Sequence, residues 1–576
     1  MFRLLKMIKP YWKECTLAPL FKMLEAFFEL FVPLVVSDII DYGIKENDKS
    51  YIVSRALIMV ALAAVGLLCS VTAQYFSARA AVGFSTKVRY RLFHHIQGFS
   101  YTETDRIGTS TMVTRLTSDL NQVQTGVNLT LRLLLRSPFI VFGAMIMAFS
   151  VDPESAVTFA VMIPVLSVIV FGIMLISIPL FKKVQTRLDR VLGATRENLT
   201  GVRVLRAFGL EKNETERFDR MNLDHTKMQR VVGRFSALMN PLTYMIVNFS
   251  VIALLYVGAI RVDEGAISQG QLVALYNYMT QILVELIKMA SLIISITKAV
   301  ACGNRIQAVL DRPVEDESAS TASGATVADG SVKFDGVSFR YMGAGEESLS
   351  DISFTVKDGE TFGIIGGTGS GKSSVVNLIP RFYDSTAGSI QVGGRKIGEF
   401  SLEELRKAIG IVPQKAVLFR GTVRSNLLFG NGEASDAELW ESLELAQAAE
   451  FVREKEGGLD APVEQNGRNF SGGQRQRLTI ARALVRKPKI LILDDSSSAL
   501  DYVTDSKLRS ALRGLSYHPT IFLVSQRTAS LSSADQILVL EDGRSVGLGT
   551  HEVLLQTCES YAEIHRSQFG KEESDA

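Results

Sequence analysis

The chain has 576 residues, 47% of them hydrophobic, and a net charge of +2. That length exceeds one ordinary domain, and the near balance of charge gives no polyanion-seeking surface, which argues against nucleic acid as a partner. The mean hydropathy of +0.19 averages two unlike halves. Charge-poor segments dominate up to about Ala301, and a soluble α/β pattern starts near Pro313. The four cysteines, Cys15, Cys69, Cys302 and Cys558, stand far apart without zinc-ligand or redox-motif spacing, so they read as unpaired thiols. Arg3, Lys6, Lys9 and Lys13 open the chain, and no small-residue cleavage site follows, so no removable signal peptide is expected.

A bilayer crossing needs about 20 mostly apolar residues. Residues 56–78, 156–181 and 235–260 meet this without a charge. Three weaker segments are added. Residues 16–40 carry Glu25, Glu29 and Asp38, residues 137–151 are short, and residues 271–301 are interrupted by Glu285 and Lys288. The expectation is six spans, with the basic N-terminus on the same side as the second half. Loops after the first, third and fifth spans are short and acidic or neutral. Those at about 79–130 and 182–234 are long and rich in Lys and Arg, which places them in the cytoplasm. Glu25 and Glu29 share one face of the first span, and Glu285 and Lys288 one face of the sixth. They would line a polar substrate cavity or form a structural ion pair. The domain reading is a transmembrane domain over 1–305, a linker over 306–330 (small and acidic from Asp311 to Gly330), and a second domain over 331–576.

The second half turns on Gly366-Gly367-Thr368-Gly369-Ser370-Gly371-Lys372-Ser373, a phosphate-binding P-loop between a strand-like run (361–365) and a helix-like run (374–378). Its glycines let successive backbone N–H groups face phosphate oxygens, and the helix N-terminus adds donors and a positive dipole. Lys372 would reach the β- and γ-phosphates of ATP, Ser373 would ligate Mg²⁺, and Ser374 extends the cradle. Further on, Leu491-Ile492-Leu493-Asp494 is an apolar strand ending in an acid, and Asp494 would hold Mg²⁺ through water. Ser471-Gly472-Gly473-Gln474 opens a helix as a second phosphate cradle. Gln414 follows the apolar run 409–412 and would join the metal shell, and Tyr341 is placed to stack on a base.

Taken in this order, Phe470-Ser471-Gly472-Gly473-Gln474, the P-loop and the acidic strand resemble an ABC ATPase domain. With six preceding spans and two long cytoplasmic loops, nearly the whole chain is similar to an ABC exporter half-transporter. The resemblance implies an all-α six-helix transmembrane domain followed by an α/β P-loop ATPase domain. Two such chains would pair, with ATP between the P-loop of one and the signature motif of the other. Asp501 would touch the opposite nucleotide, Glu464 would contact the partner, and coupling helices would lie near 117–123 and 207–211.

Two positions depart from the family pattern. The general-base Glu after the acidic strand is here Asp495, one methylene shorter, and the switch His is here Gln526. Lys372, Asp495 and Gln526 are thus the catalytic positions, the last two degenerate. The pattern is similar to the degenerate-site subunit of heterodimeric bacterial multidrug exporters. It implies a partner half-transporter carrying the Glu and the His, a multi-pass place in the bacterial cell membrane, and export of amphipathic small molecules. A lipid or lipid-linked flippase, a peptide or siderophore exporter, and a non-pumping regulatory subunit stay open as alternatives.

Overall fold

The computed structural model describes residues 1–315 and 326–569, so ten residues of the expected linker lie outside the described residues. The chain divides into two compact units.

The first unit, Met1–Gln97 with Ser110–Arg312, is helical. Its main helices are α1 (Trp12–Asp38), α2 (Lys49–Gln97), a stretch from Thr109 that includes α4 (Leu120–Leu133), then α5 (Arg136–Val151), α6 (Pro153–Ala207), α7 (Glu211–Asp263) and α8 (Gln269–Leu310). At 1.5 Å per residue, the 55 residues of α6 extend about 80 Å, far beyond a bilayer's thickness. The long basic loops read from the sequence are therefore continuations of membrane helices. Local signals set the ends. Asp152 caps α6 by accepting from Ser155 N at 3.0 Å. Ser268 and Gln271 form a capping box at the start of α8. Leu57, Val60, Leu67 and Leu68 on α2 are exposed, as a lipid-facing surface requires. The interior is close-packed around small residues (Ala144, Ala148, Ala156, Ala274) and the buried Tyr278, whose hydroxyl donates to Leu30 O at 2.7 Å.

The expectation of six spans is met in part. Among the described residues, five helical stretches are long and apolar enough to cross a membrane: Lys49–Gln97, Thr109–Val151, Pro153–Ala207, Pro241–Asp263 and Gln269–Leu310. The helix left out is α1, whose apolar run is broken by Lys22, Glu25 and Glu29. The charges within these helices are engaged. Arg136 on α5 is buried and donates to Glu285 Oε1 and Glu29 Oε2, both at 2.7 Å. Ser137 and Lys288 also donate to Glu285, at 2.8 and 2.9 Å. Lys22 holds Glu25 and bonds Ser70 on α2. The structure shows the ion pairs among these charges, and Glu29, Glu285 and Lys288 also edge a cavity of about 300 Å³.

The second unit is Gly98–Thr109 with Pro313–Ala576. Its strands are β1 (Val332–Phe339), β2 (Leu349–Val356), β3 (Thr361–Gly366), β4 (Ala387–Val392), β5 (Arg395–Lys396), β6 (Ile409–Val412), β7 (Ile490–Asp494), β8 (Thr520–Val524), β9 (Gln536–Glu541) and β10 (Arg544–Gly549). One sheet, ordered β2-β1-β4-β5, is antiparallel. A second, ordered β10-β9-β3-β8-β7-β6, is parallel apart from the edge strand β10, and Gly421–Thr422 pairs with Pro462–Val463 in a small third sheet. The central strands β7 and β8 are buried along their whole length, which is why they read as unbroken apolar runs. Residues 327–330 already pack on this unit: Val327 is buried and Gly330 N donates to Asp358 at 2.6 Å.

A correction concerns the contact helices. Residues 117–123 lie inside the helical stretch that begins at Thr109. The segment that joins the ATPase unit is instead α3 (Tyr101–Ile107), capped by Ser100 and ended by Gly108 at φ 78°. Tyr101 stacks on Phe382 with centroids 4.4 Å apart, and Tyr383 donates to Asp105 Oδ2 at 2.7 Å. Arg406 grips Glu315 through two bonds of 3.1 and 3.0 Å, and Glu315 N donates to Gly98 O. Near 207–211 the chain makes a tight turn between α6 and α7. Tyr101→Ala is expected to weaken the α3 contact by roughly 1–2 kcal/mol, since a stacked aromatic pair and its buried area are lost. Amide exchange over α3 would rise about tenfold, with ATP affinity unchanged. Unaltered protection of α3 would refute the assignment.

Candidate nucleotide-binding site

The loop between β3 and the helix α9 (Lys372–Leu378) adopts the conformation a phosphate cradle needs. Gly369 and Gly371 take φ of 87° and 95°, a region closed to most side chains. A Cβ on Gly366 would run into the Leu540 carbonyl, and one on Gly371 would meet Ser348 O at 2.8 Å. Within the loop, the Lys372 ammonium donates to Gly366 O at 2.9 Å and Gly367 O at 2.6 Å. Ser373 donates to Asp494 Oδ1 at 3.1 Å, across from the end of β7. Asp495 follows at φ 44°, with its backbone N bonded to Val524 O and its Oδ2 accepting from Gln414 at 3.4 Å. Tyr341 shares a hydroxyl contact of 3.1 Å with Ser374 and packs edge-on against Phe339 and Tyr383.

These groups surround one cavity of about 1010 Å³ that takes in Tyr341, Thr368, Gly369, Gly371, Lys372, Ser373, Ser374, Gln414, Asp494, Asp495 and Gln526. Ser370 is buried in the loop behind it. The structure thus brings together the P-loop, the acid pair, Gln414 and the aromatic platform. It does not bring in the second cradle. Ser471 caps the helix α10 (Gly472–Val485) in a reciprocal box with Gln474. Gly472 lines a separate recess of about 500 Å³ with Gln414, Arg475 and Ala499. Asp501 caps the helix Tyr502–Arg513 by accepting from Thr504 N at 3.0 Å. Sequence reading missed the rim made by Glu346, Glu347, Asp542 and Gly543, and it missed Tyr383 behind Tyr341. The rim carries no linear motif. Phe382-Tyr383, an aromatic pair just past α9, was the available signal.

The electrostatics are those of a site built to receive opposite charges. Burial pushes the Asp494 carboxyl above the usual range, and neighbouring Asp495 adds to this against the Ser373 hydrogen bond and Lys372. Asp495 is raised chiefly by burial, opposed by Gln414, Lys372 and Arg527. Lys372 is lowered by burial, opposed by the two acids. Ser373 and Asp494, one hydrogen bond apart, suit a small hard cation, and the glycine loop with Lys372 suits phosphate. When bound, Mg²⁺ would screen the phosphate charge, with Ser373, Asp494 and Gln414 as its holders and ATP as its companion.

A carboxyl whose pKa is raised by folding stabilises the fold only while protonated. That contribution is complete below the ordinary carboxylate pKa and vanishes as pH rises through the raised value. Asp494→Asn removes the charge that burial penalises. It is expected to make the nucleotide-free chain more heat-resistant at neutral pH and to abolish the extra stability given by Mg²⁺ with ATP. A lower melting temperature for the nucleotide-free variant would contradict this.

Residues 15–286 match the family described as ABC transporter transmembrane region, and residues 349–498 the family described as ABC transporter. The chain is 38% identical to an uncharacterized ABC transporter ATP-binding protein of Mycobacterium tuberculosis, over 97% of each. It is 35% identical to another from Bacillus subtilis, over 100% of each. An ATP-dependent lipid A-core flippase of Hahella chejuensis is 30% identical, covering 100% of this chain and 97% of that protein. The fold matches a bacterial Atm1-family ABC exporter solved with ATP bound, at a TM-score of 0.80 and 24% identity, over 98% of this chain and 99% of the other. With the P-loop, the acidic strand and the helical membrane unit on one polypeptide, the chain belongs to the ABC transporter family as an exporter half-transporter with an ATP-hydrolysing domain.

Proposed function

We propose that this chain is the degenerate-site half of a heterodimeric exporter of amphipathic small molecules, of the multidrug type. The observation that carries the reading is the pair Asp495 and Gln526 on the wall of the P-loop cavity. A general base must come within about 2.6–3.2 Å of its proton, directly or through one water. Asp495 is a methylene short of the usual Glu, and its carboxylate leans on Gln414. Gln526 can hydrogen-bond a γ-phosphate but carries no charge. The site binds ATP and hydrolyses it poorly. The signature residues Ser471, Gly472, Gly473 and Gln474 are intact, and Gly472 faces a recess other than the chain's own P-loop cavity. They complete the partner's site, where Glu and His are intact.

The chain crosses the bacterial cell membrane six times, with its N-terminus and ATPase domain in the cytoplasm. In support, α1 runs beside α2 from the Glu14–Arg79 pair to the Asp38–Arg55 pair. Those 24 residues span about 36 Å, enough for the hydrocarbon core. The Met1 amino group donates to Asn304 Oδ1 at 2.7 Å, near the end of α8 from which the chain continues to the ATPase domain. That arrangement supports an even number of crossings. A lipid substrate is the second reading, favoured by the 27–30% identity to proteins described as lipid A-core flippases. Two differently tagged copies of the chain, co-expressed, test the pairing. The proposal expects neither tag to carry the other through purification, and efficient co-purification as a dimer would refute it.

A further inference from the structure

The N-terminal turn Lys6–Tyr11 lies against α2. Gly83 makes this possible, because a Cβ there would collide with the Tyr11 ring, and Lys87 Nζ sits 5.6 Å from that ring's centroid. Between the turn and α2 is an open recess of about 600 Å³ whose lining includes Lys6, Lys9, Lys87, Arg91, Tyr90 and His94, with no carboxylate among its lining residues. The four cations are exposed, and no salt bridge in the described residues involves them. The carboxylate one turn along α1, Glu14, is taken by Arg79. Four uncompensated charges around one hollow repel one another, so the arrangement favours an anion.

The depth of the recess says which anion. The apolar run of α2 ends near residue 78, so Lys87 lies about 13 Å further along the axis. Side chains on a helix lean toward its N-terminus, which for α2 is toward the bilayer, and Lys and Arg stems reach back to the headgroup layer. Tyr90, 74% exposed on the wall of the recess, offers the amphipathic ring typical of a membrane–water boundary.

We propose that this recess holds the phosphate headgroup of an anionic phospholipid of the cytoplasmic leaflet. The inference rests on the proposed membrane orientation and is independent of the substrate and the partner.

The full chain in detergent would be titrated with phosphatidylglycerol or phosphatidylcholine, and retained lipid read by native mass spectrometry. Phosphatidylglycerol is expected to be retained in preference. Lys9→Gln with Arg91→Gln should cut that preference by about fivefold per charge removed. The charge-preserving pair Lys9→Arg with Arg91→Lys should keep it. Lys182→Gln with Lys183→Gln, a basic pair elsewhere on the unit, should leave it unchanged. Equal retention of the two lipids, or equal loss in the Lys182/Lys183 variant, would overturn the site. Displacement of the lipid by millimolar inorganic phosphate would overturn the lipid assignment in favour of a small-anion site. None of these readouts depends on ATP turnover. Labelling of a Lys9→Cys variant, made with Cys15→Ser, by an impermeant maleimide added outside intact cells would instead refute the orientation.

Discussion

Asp495→Glu combined with Gln526→His is expected to raise ATP hydrolysis at this chain's own site by roughly 100-fold, the cost that a displacement of about 1 Å imposes on a reacting group. The rest of the site is already in place. Lys372 lies on the loop, Ser373 is bonded to Asp494, and Gln414 sits beside the acid pair. The added methylene would carry the carboxylate beyond Gln414 toward the attacking water, and the imidazole would supply the charge that Gln526 lacks. Each single change should recover less than the pair, since base and switch act on one transition state. Single-turnover hydrolysis with the partner's site disabled measures this. Unchanged turnover in the double variant would show that another feature limits the site.

The second large effect belongs to the membrane half. Arg136→Leu leaves Glu285 buried with Ser137 and the half-exposed Lys288 as its remaining partners, and it strands Glu29 beside it. Removing one member of a buried ion pair typically costs about 3–5 kcal/mol. Glu29 is itself 42% exposed, so water would relieve part of its share, and the lower end of that range is expected. Arg136 joins α5 to α1 and α8, so the loss would appear as a lower melting temperature and easier proteolysis of the membrane unit. Arg136→Met with Glu285→Met should recover most of it, because no buried charge is then left unpaired. Wild-type stability in Arg136→Leu would show that water already screens the network.

How much could be read from the sequence differs by region, for physical reasons. In the ATPase unit, function is local. The P-loop, its strand and helix, Gln414 and Asp494 occupy short motifs whose backbone geometry is fixed by glycines and a buried sheet, and the structure assembles them into one cavity. Ser471 reads locally as part of a phosphate cradle and Asp501, through the resemblance, as touching the opposite nucleotide; in the folded chain both are also helix caps. In the membrane unit, the decisive contacts are long-range. Hydropathy sees Glu25 and Glu29 only as interruptions of α1, while the structure shows them paired with Lys22 and Arg136. The contact helix α3 was misplaced because a seven-residue element has almost no periodicity to detect. Its legible signals were Ser100 three residues before Glu103, and Gly108 at its end.

The central claim is that this chain binds ATP in a site that barely turns over without a partner. Steady-state ATP hydrolysis by the purified chain alone, reconstituted in lipid beside a Lys372→Ala control, tests it most directly. The account predicts little or no turnover that depends on Lys372, together with ATP binding that the substitution abolishes. Brisk hydrolysis lost in Lys372→Ala would mean that Asp495 and Gln526 suffice, and the heterodimer reading would give way to a homodimeric exporter.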